Sequence, residues 1–318
     1  MITVLCGGVG AARFLRALRL VTDPTDVVAV VNTGDDTVLH GLSISPDLDT
    51  ITYTLAGAID PDRGWGLVDE TWVAMGALER YANVRPAGST AAPTWFNLGD
   101  RDLATHFYRT ARLAEGAPLS IATAEIARAW GVPEQLVPMS DDRVATMIEL
   151  DDATTVTFQE YFVRLRHSVP VRSVEFAGVA DARLHPVAAH AIEQSDAVVI
   201  APSNPIVSIG PVRALTSVDG LLAARRDSVV AVSPIVGGAA LKGPADRMLT
   251  ELGHEASVVG VARLYREVAA TLVIDPADAH LAAEVEATGM RALVVPSIMS
   301  DPEISARLAA STLAAARR

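Results

Sequence analysis

Among 318 residues there is one cysteine. That excludes an internal disulfide, and the placement of Cys6 in an apolar strand pattern argues for a reducing compartment and against a catalytic thiol. No basic leader or small-residue cleavage site stands at the start, and no apolar run reaches the roughly 18 residues of a membrane span. A cytoplasmic protein with no membrane partner is expected. Positive charge is also short, with 26 Lys and Arg against 38 Asp and Glu and a formal net charge of −12. Nucleic-acid backbones are held by summed positive charge, so a general nucleic-acid binder is excluded. A small anionic ligand is not, because a few amides, one cation or a metal suffice to hold it. Zinc-type His and Cys spacing, a G-x-S-x-G elbow and the GK[ST] of a Walker A loop are all missing. So are internal repeats, low-complexity tracts and linkers long enough to separate independent domains.

What is present is a set of short apolar runs: ITVLC (2 to 6), VVAVV (27 to 31), AVVIA (197 to 201) and SVVAVS (228 to 233). They are apolar throughout rather than alternating, as in parallel strands covered on both faces. Amphipathic patterns such as AARFLRALRLV and VDGLLAARR lie between them. The fold class read from this is α/β, a Rossmann-like doubly wound, mostly parallel sheet. LATHFYRTARLAEG and IATAEIARAWG read as consecutive helices, and VATMIELDDATTVTFQEYFVRLR as two strands joined at DDAT. The expected organisation is a nucleotide-binding core, 1–104 and 176–318, with residues 105–175 inserted as a helical and β-hairpin cap.

Ligands in such sheets bind beyond the carboxyl ends of the strands, so strand ends are the places to search. The first ends in GGVGAAR (7 to 13), where glycines permit a tight turn and close approach to a phosphate. The second ends in NTGDD, and SPDLDT follows just before a helical run, placing Asp35, Asp36, Asp47 and Asp49 near the glycine loop. Magnesium is held by one or two carboxylates plus substrate phosphates and water, which these acids could supply. Capping explains Asp49 equally well. NLGDRDLATHF brings Asn97, Asp100 and Arg101 before a helix, with His106 behind them, and PMSDD repeats the adjacent acids. APSNPIVSIGP offers Ser203 and Asn204, and SPIVGGAALKGPAD offers Gly238 and Lys242, so three ligand-type loops line one sheet edge. A nucleotide-sized ligand is the reading that unites them.

Taken in order, GGVGAARFLRAL, NTGDD, SPDLDTITYTLAG, GWG, NLGDRDLATH, PMSDD, FQEYF, APSNPIVSIGP and SPIVGGAALKGPAD closely resemble the CofD family, called FbiA in actinobacteria, over residues 2 to about 250. The resemblance implies a transferase of coenzyme F420 biosynthesis. Such enzymes move a phosphorylated three-carbon acid from a guanosine diphosphate-linked donor to the ribityl hydroxyl of the precursor Fo, releasing GMP. The segment IDPDRGWG looks like the FbiA version, implying enolpyruvyl-diphospho-5'-guanosine as donor and dehydro-F420-0 as product, whereas archaeal members go with a lactyl donor. The resemblance places Mg2+ on Asp35 and Asp49 as catalytic residues, with Asp36 behind them. It places Gly8, Val9, Gly10, Ser203, Asn204, Gly238 and Lys242 on the donor, and Asn97, Asp100 and Arg101, with Asp49, on Fo. Fo and the guanosine-linked acid are then the partners, and a homodimer stays open. Two other classes compete: a nicotinamide oxidoreductase using Asp35 on a ribose, and a non-catalytic YvcK-like nucleotide-sugar-binding regulator, which is not expected to carry SPDLDT with GDRDLATH.

Overall fold

The structure, a computed structural model, describes residues 1–316. Seven strands form the central sheet: β1 (Ile2–Cys6), β2 (Val27–Val31), β3 (Gln135–Pro138), β4 (Ala197–Ile200), β5 (Val229–Val232), β6 (Thr271–Ile274) and β7 (Arg291–Val294). Their order is β7-β6-β5-β4-β1-β2-β3, and every pairing is parallel. The chain winds outward in one direction from β1 to β3 and in the other from β4 to β7. The reversal between β1 and β4 is the topological switch point, where a doubly wound sheet opens a crevice at its carboxyl edge.

The strands are apolar throughout because successive side chains feed two cores. Val4, Cys6, Val31 and Val199 face one side and pack with Phe14 and Leu15, while Leu5, Val30, Val198 and Ile200 face the other with Ile192 and Leu222. Fully burying one such side chain contributes about 1.5–3 kcal/mol. The helix α1 (Gly8–Leu18) buries Phe14, Leu15 and Leu18 and turns Arg13 and Arg16 outward, which is the 3.6-residue stripe read from the sequence. It packs on α2 (Pro46–Leu55) and on the C-terminal helix Pro302–Ala316.

All four expected strands are in place, and three more join them. β3 pairs with β2, so part of the segment 105–175 is built into the sheet edge. That segment also holds most of the helix Asp102–Ala114, the helix Leu119–Ala129, and most of a three-stranded antiparallel sheet of Thr155–Thr157, Ala145–Leu150 and Val171–Ala177, whose last strand runs two residues past it. The turn at Asp151 to Thr154 is where DDAT places it. The second strand is shorter than its sequence suggests: after Thr157 the chain coils into a π-helical turn, Glu160–Arg164. The reason is spacing, since Phe158 and Tyr161 are buried three residues apart, a helical interval, and join one cluster with their rings tilted and 6.5 Å apart. Among the described residues no helix is long and apolar enough to cross a membrane.

Candidate functional site

A cavity of about 460 Å³ opens at the switch point, between the loop after β1 and the loop after β4. Gly8 has φ +70°, the left-handed conformation that starts α1 at a sharp angle. A Cβ on Gly10 would lie 2.1 Å from the Pro202 carbonyl oxygen, and one on Gly7 would lie 2.7 Å from Asp47 Oδ2. Two glycines of GGVG are therefore required by the chain's own close packing. Ser203 ties the two loops together by donating its hydroxyl to the Gly7 carbonyl at 2.8 Å. Asn204 folds its loop by accepting from the Ile206 amide at 2.9 Å.

The acids enter from β2 and α2. Asp35, Asp47 and Asp49 all line the cavity, although each is less than a tenth exposed. Asp47 accepts from Asn32 Nδ2 at 2.9 Å and from the Gly8 amide, so a carboxylate already occupies the positive start of α1. Burial still pushes it up to about 6. Burial, and next the charge of Asp47, push Asp35 well above the usual carboxylate range. Burial raises Asp36 to about 8, opposed by the Ser45 hydroxyl, which donates to it at 2.6 Å. One oxygen each of Asp35 and Asp36 is buried without a hydrogen-bond partner.

Asp49 is differently placed. It sits in the first turn of α2 and caps nothing through its side chain; instead Arg109 Nη1 donates to its Oδ2 at 3.1 Å and Nη2 to its Oδ1. His106 Nδ1 is 3.7 Å from Asp49 Oδ2, its Nε2 is 3.2 Å from Asp102 Oδ2, and Tyr53 donates its hydroxyl to Asp102 Oδ1 at 2.5 Å. Asp102 thus stays below the usual carboxylate range: burial raises it, and the bonds from His106 and Tyr53 outweigh that. Asp102, His106 and Arg109 recur at helical intervals on one face of the helix Asp102–Ala114. That spacing was readable in GDRDLATHFYR, but the partner across on α2 was not.

Lys242 reaches the cavity and donates to the Arg63 carbonyl at 2.7 Å, and Asn97 lines the wall. Three expected residues are engaged elsewhere. Gly238, with φ +80°, forms with Gly237 the turn of the small hairpin Ile235–Val236 and Ala239–Ala240 and is absent from the lining. Asp100 accepts from the Thr71 hydroxyl at 2.6 Å and from the amides of Val73 and Ala74 at 2.8 and 3.0 Å, capping the helix Val73–Ala82 from outside it. Arg101 donates to the Val68 carbonyl at 2.6 Å, also outside the lining. Asp141 and Asp142 hold the Ser120 and Arg183 amides. The sequence reading gave no role to the aromatic lining, Trp65, Trp95, Phe96, Phe158 and Phe162, or to Ser297 beyond β7.

The donor set suits a hard divalent cation. In the cavity one oxygen of the buried Asp35 has no hydrogen-bond partner, and oxygen ligands select magnesium over thiolate-seeking metals. Asp49, Asp102 and His106 also present ligand atoms within 4.8 Å of one another, with Arg109 supplying charge at that point.

Comparison with known proteins agrees with this architecture. A phosphoenolpyruvate transferase of Kitasatospora aureofaciens is 41% identical over 322 residues, covering 100% of this chain and 98% of that protein. Proteins of the same name from Nocardia farcinica and Mycolicibacterium smegmatis are 41% and 40% identical, covering 98% and 96% of this chain and 93% and 96% of their own lengths. A crystal structure of a UPF0052-family protein from Bacillus halodurans superimposes with a TM-score of 0.61 at 14% identity, covering 98% of both chains, which shows the fold alone. The model of the 2-phospho-L-lactate transferase CofD family matches residues 2–297, and the chain belongs to that family, transferases of coenzyme F420 biosynthesis.

Proposed function

We propose that the protein transfers a phosphoenolpyruvyl group from enolpyruvyl-diphospho-5'-guanosine to the ribityl hydroxyl of Fo, giving dehydro-F420-0 and GMP, with Mg2+ on Asp35 and Asp49. The observation that carries this reading is one cavity lined both by the buried carboxylates Asp35 and Asp47, with one Asp35 oxygen lacking any hydrogen-bond partner, and by the cations Arg13 and Lys242. Such a site matches a diphosphate that arrives with a cation. The name shared by relatives about 40% identical along nearly the whole chain supports the enolpyruvyl donor over the lactyl one.

The reaction is attack by an alcohol on one phosphorus of a diphosphate, breaking the bond to the GMP phosphoryl oxygen. Positioning and charge neutralisation carry most of such transfers. Bound magnesium would neutralise the diphosphate oxygens. The chain's own residues do the rest: Arg109 fixes both oxygens of Asp49, and Asn32 and the Gly8 amide fix Asp47. Lys242 and the loop at Ser203 and Asn204 flank the donor, and the aromatic walls exclude water from a flat acceptor. GMP release from the donor that depends on added Fo tests the reading. Donor hydrolysis at the same rate without Fo would overturn it.

A further inference from the structure

Arg13 projects from α1 to the cavity wall, is exposed, and takes part in none of the side-chain hydrogen bonds or ion pairs of the described residues. Lys242 approaches from the opposite loop. Its ammonium lies 2.5 Å from where a Cβ on Gly64 would stand, and Val9 Cγ1 lies 3.5 Å from that same point, so the charge sits beside the glycine loop. Among the described residues no carboxylate pairs with Lys242. Its only described bond is to the Arg63 carbonyl, a neutral acceptor that a phosphate oxygen outcompetes. Burial, and then the nearby charge of Arg13, draw Lys242 below the usual lysine range. An anion between the two cations relieves that repulsion.

The carbonyl that Lys242 holds belongs to a strap, residues 60 to 66, at the cavity rim. The Arg63 guanidinium is turned away from the cavity: it bonds the Leu67 carbonyl at 2.9 Å, pairs with Asp60 at 2.9 Å, and lies 5.5 Å from the ring centres of both Trp65 and Trp72. Trp65 itself lines the cavity. Lys242 is therefore the tie from the strap to the opposite loop.

We infer that Arg13 and Lys242 form a clamp for phosphate oxygens, and that Lys242 leaves the Arg63 carbonyl when the clamp fills, so that the strap around Trp65 rearranges with occupancy. The identity of the natural ligand, a nucleoside diphosphate, rests on the proposed function; the clamp itself does not. The test is calorimetric titration with inorganic pyrophosphate and, separately, GDP, both with magnesium, while tryptophan fluorescence is followed. Wild type, Arg13→Gln, Lys242→Met and Lys242→Arg are compared. Each neutral variant should bind both probes at least about 10-fold more weakly, the loss of one charge-assisted hydrogen bond, and Lys242→Arg should recover part of that. Saturation should change the fluorescence of wild type and Arg13→Gln but not of Lys242→Met, whose strap is already free. Neutral variants that bind like wild type, or a wild type that binds neither probe, would overturn the clamp. A wild type that binds GDP but not pyrophosphate would overturn it while leaving the nucleotide reading standing. Unchanged wild-type fluorescence at saturation would overturn the strap's part.

Discussion

Arg109 and Asp49 form a buried two-pronged pair, sixty positions apart in sequence, in which both guanidinium ends rest on the two carboxylate oxygens. Removing one partner leaves the other charge buried and uncompensated, which costs about 3–5 kcal/mol. Arg109→Met should lower unfolding stability by that amount in urea, and adding Asp49→Asn to the same chain should restore much of it. An Arg109→Met chain as stable as wild type would mean that the pair does not support the fold.

Asp35 has no such partner, so its substitution should act in the opposite direction on stability. Asp35→Asn removes a buried charge and should melt higher than wild type in EDTA. Asp35→Asn and Asp49→Asn should each lower turnover by at least about 100-fold, roughly 2.7 kcal/mol of barrier, because each removes charge that holds magnesium. Either variant, folded and near-normally active at limiting magnesium, would show the metal assignment to be wrong.

Stability should also depend on pH. Burial raises Asp47 to about 6 and Asp36 to about 8, against roughly 3.9 for an unfolded aspartate. Between about pH 4 and 8 the native chain therefore binds more protons than the unfolded one, so stability falls as pH rises through that window. Melting in EDTA should be higher at pH 5 than at pH 8.5, and Asp36→Asn should flatten the decline. A melting temperature that rises over this range would contradict the burial of unpaired carboxylates.

Guanosine specificity is a separate matter. A base buried against groups that pair with its edge loses about 1–3 kcal/mol when one partner is left unpaired. Calorimetry should find GDP bound more tightly than ADP by roughly 5- to 150-fold. Equal affinities would remove the guanine from the account.

Much of this fold was legible because β1, β2, β4 and β5 are covered on both faces and read as unbroken apolar runs. β3 was not, having four residues and a terminal proline, nor was β7, an edge strand that is half exposed. In the site, the strand-end rule led to Asp35 and the glycine loop. Asp100 was read from a helix-start pattern, and its partners in the fold, the Thr71 hydroxyl and the amides of Val73 and Ala74, lie nearly thirty residues away and leave no local trace. The close neighbours of Gly7 and Gly10 are likewise distant in sequence, Asp47 and Pro202, so a local motif reading saw only a tight turn and room for a phosphate. Helical spacing revealed which residues of the helix Asp102–Ala114 share a face, but only tertiary packing showed that the face meets Asp49.

The donor is the center of the functional claim, and mass spectrometry of the product tests it most directly. The two donors differ at a planar enol carbon against a tetrahedral lactyl carbon, a difference worth only about 1–3 kcal/mol in a pocket, so preference is expected rather than exclusion. Purified protein, Fo and magnesium would be given the enolpyruvyl and lactyl donors in separate reactions at equal concentration. The dehydro product, two hydrogens lighter than the phospholactyl one, should form faster. Dominant formation of the saturated phospholactyl product would contradict it.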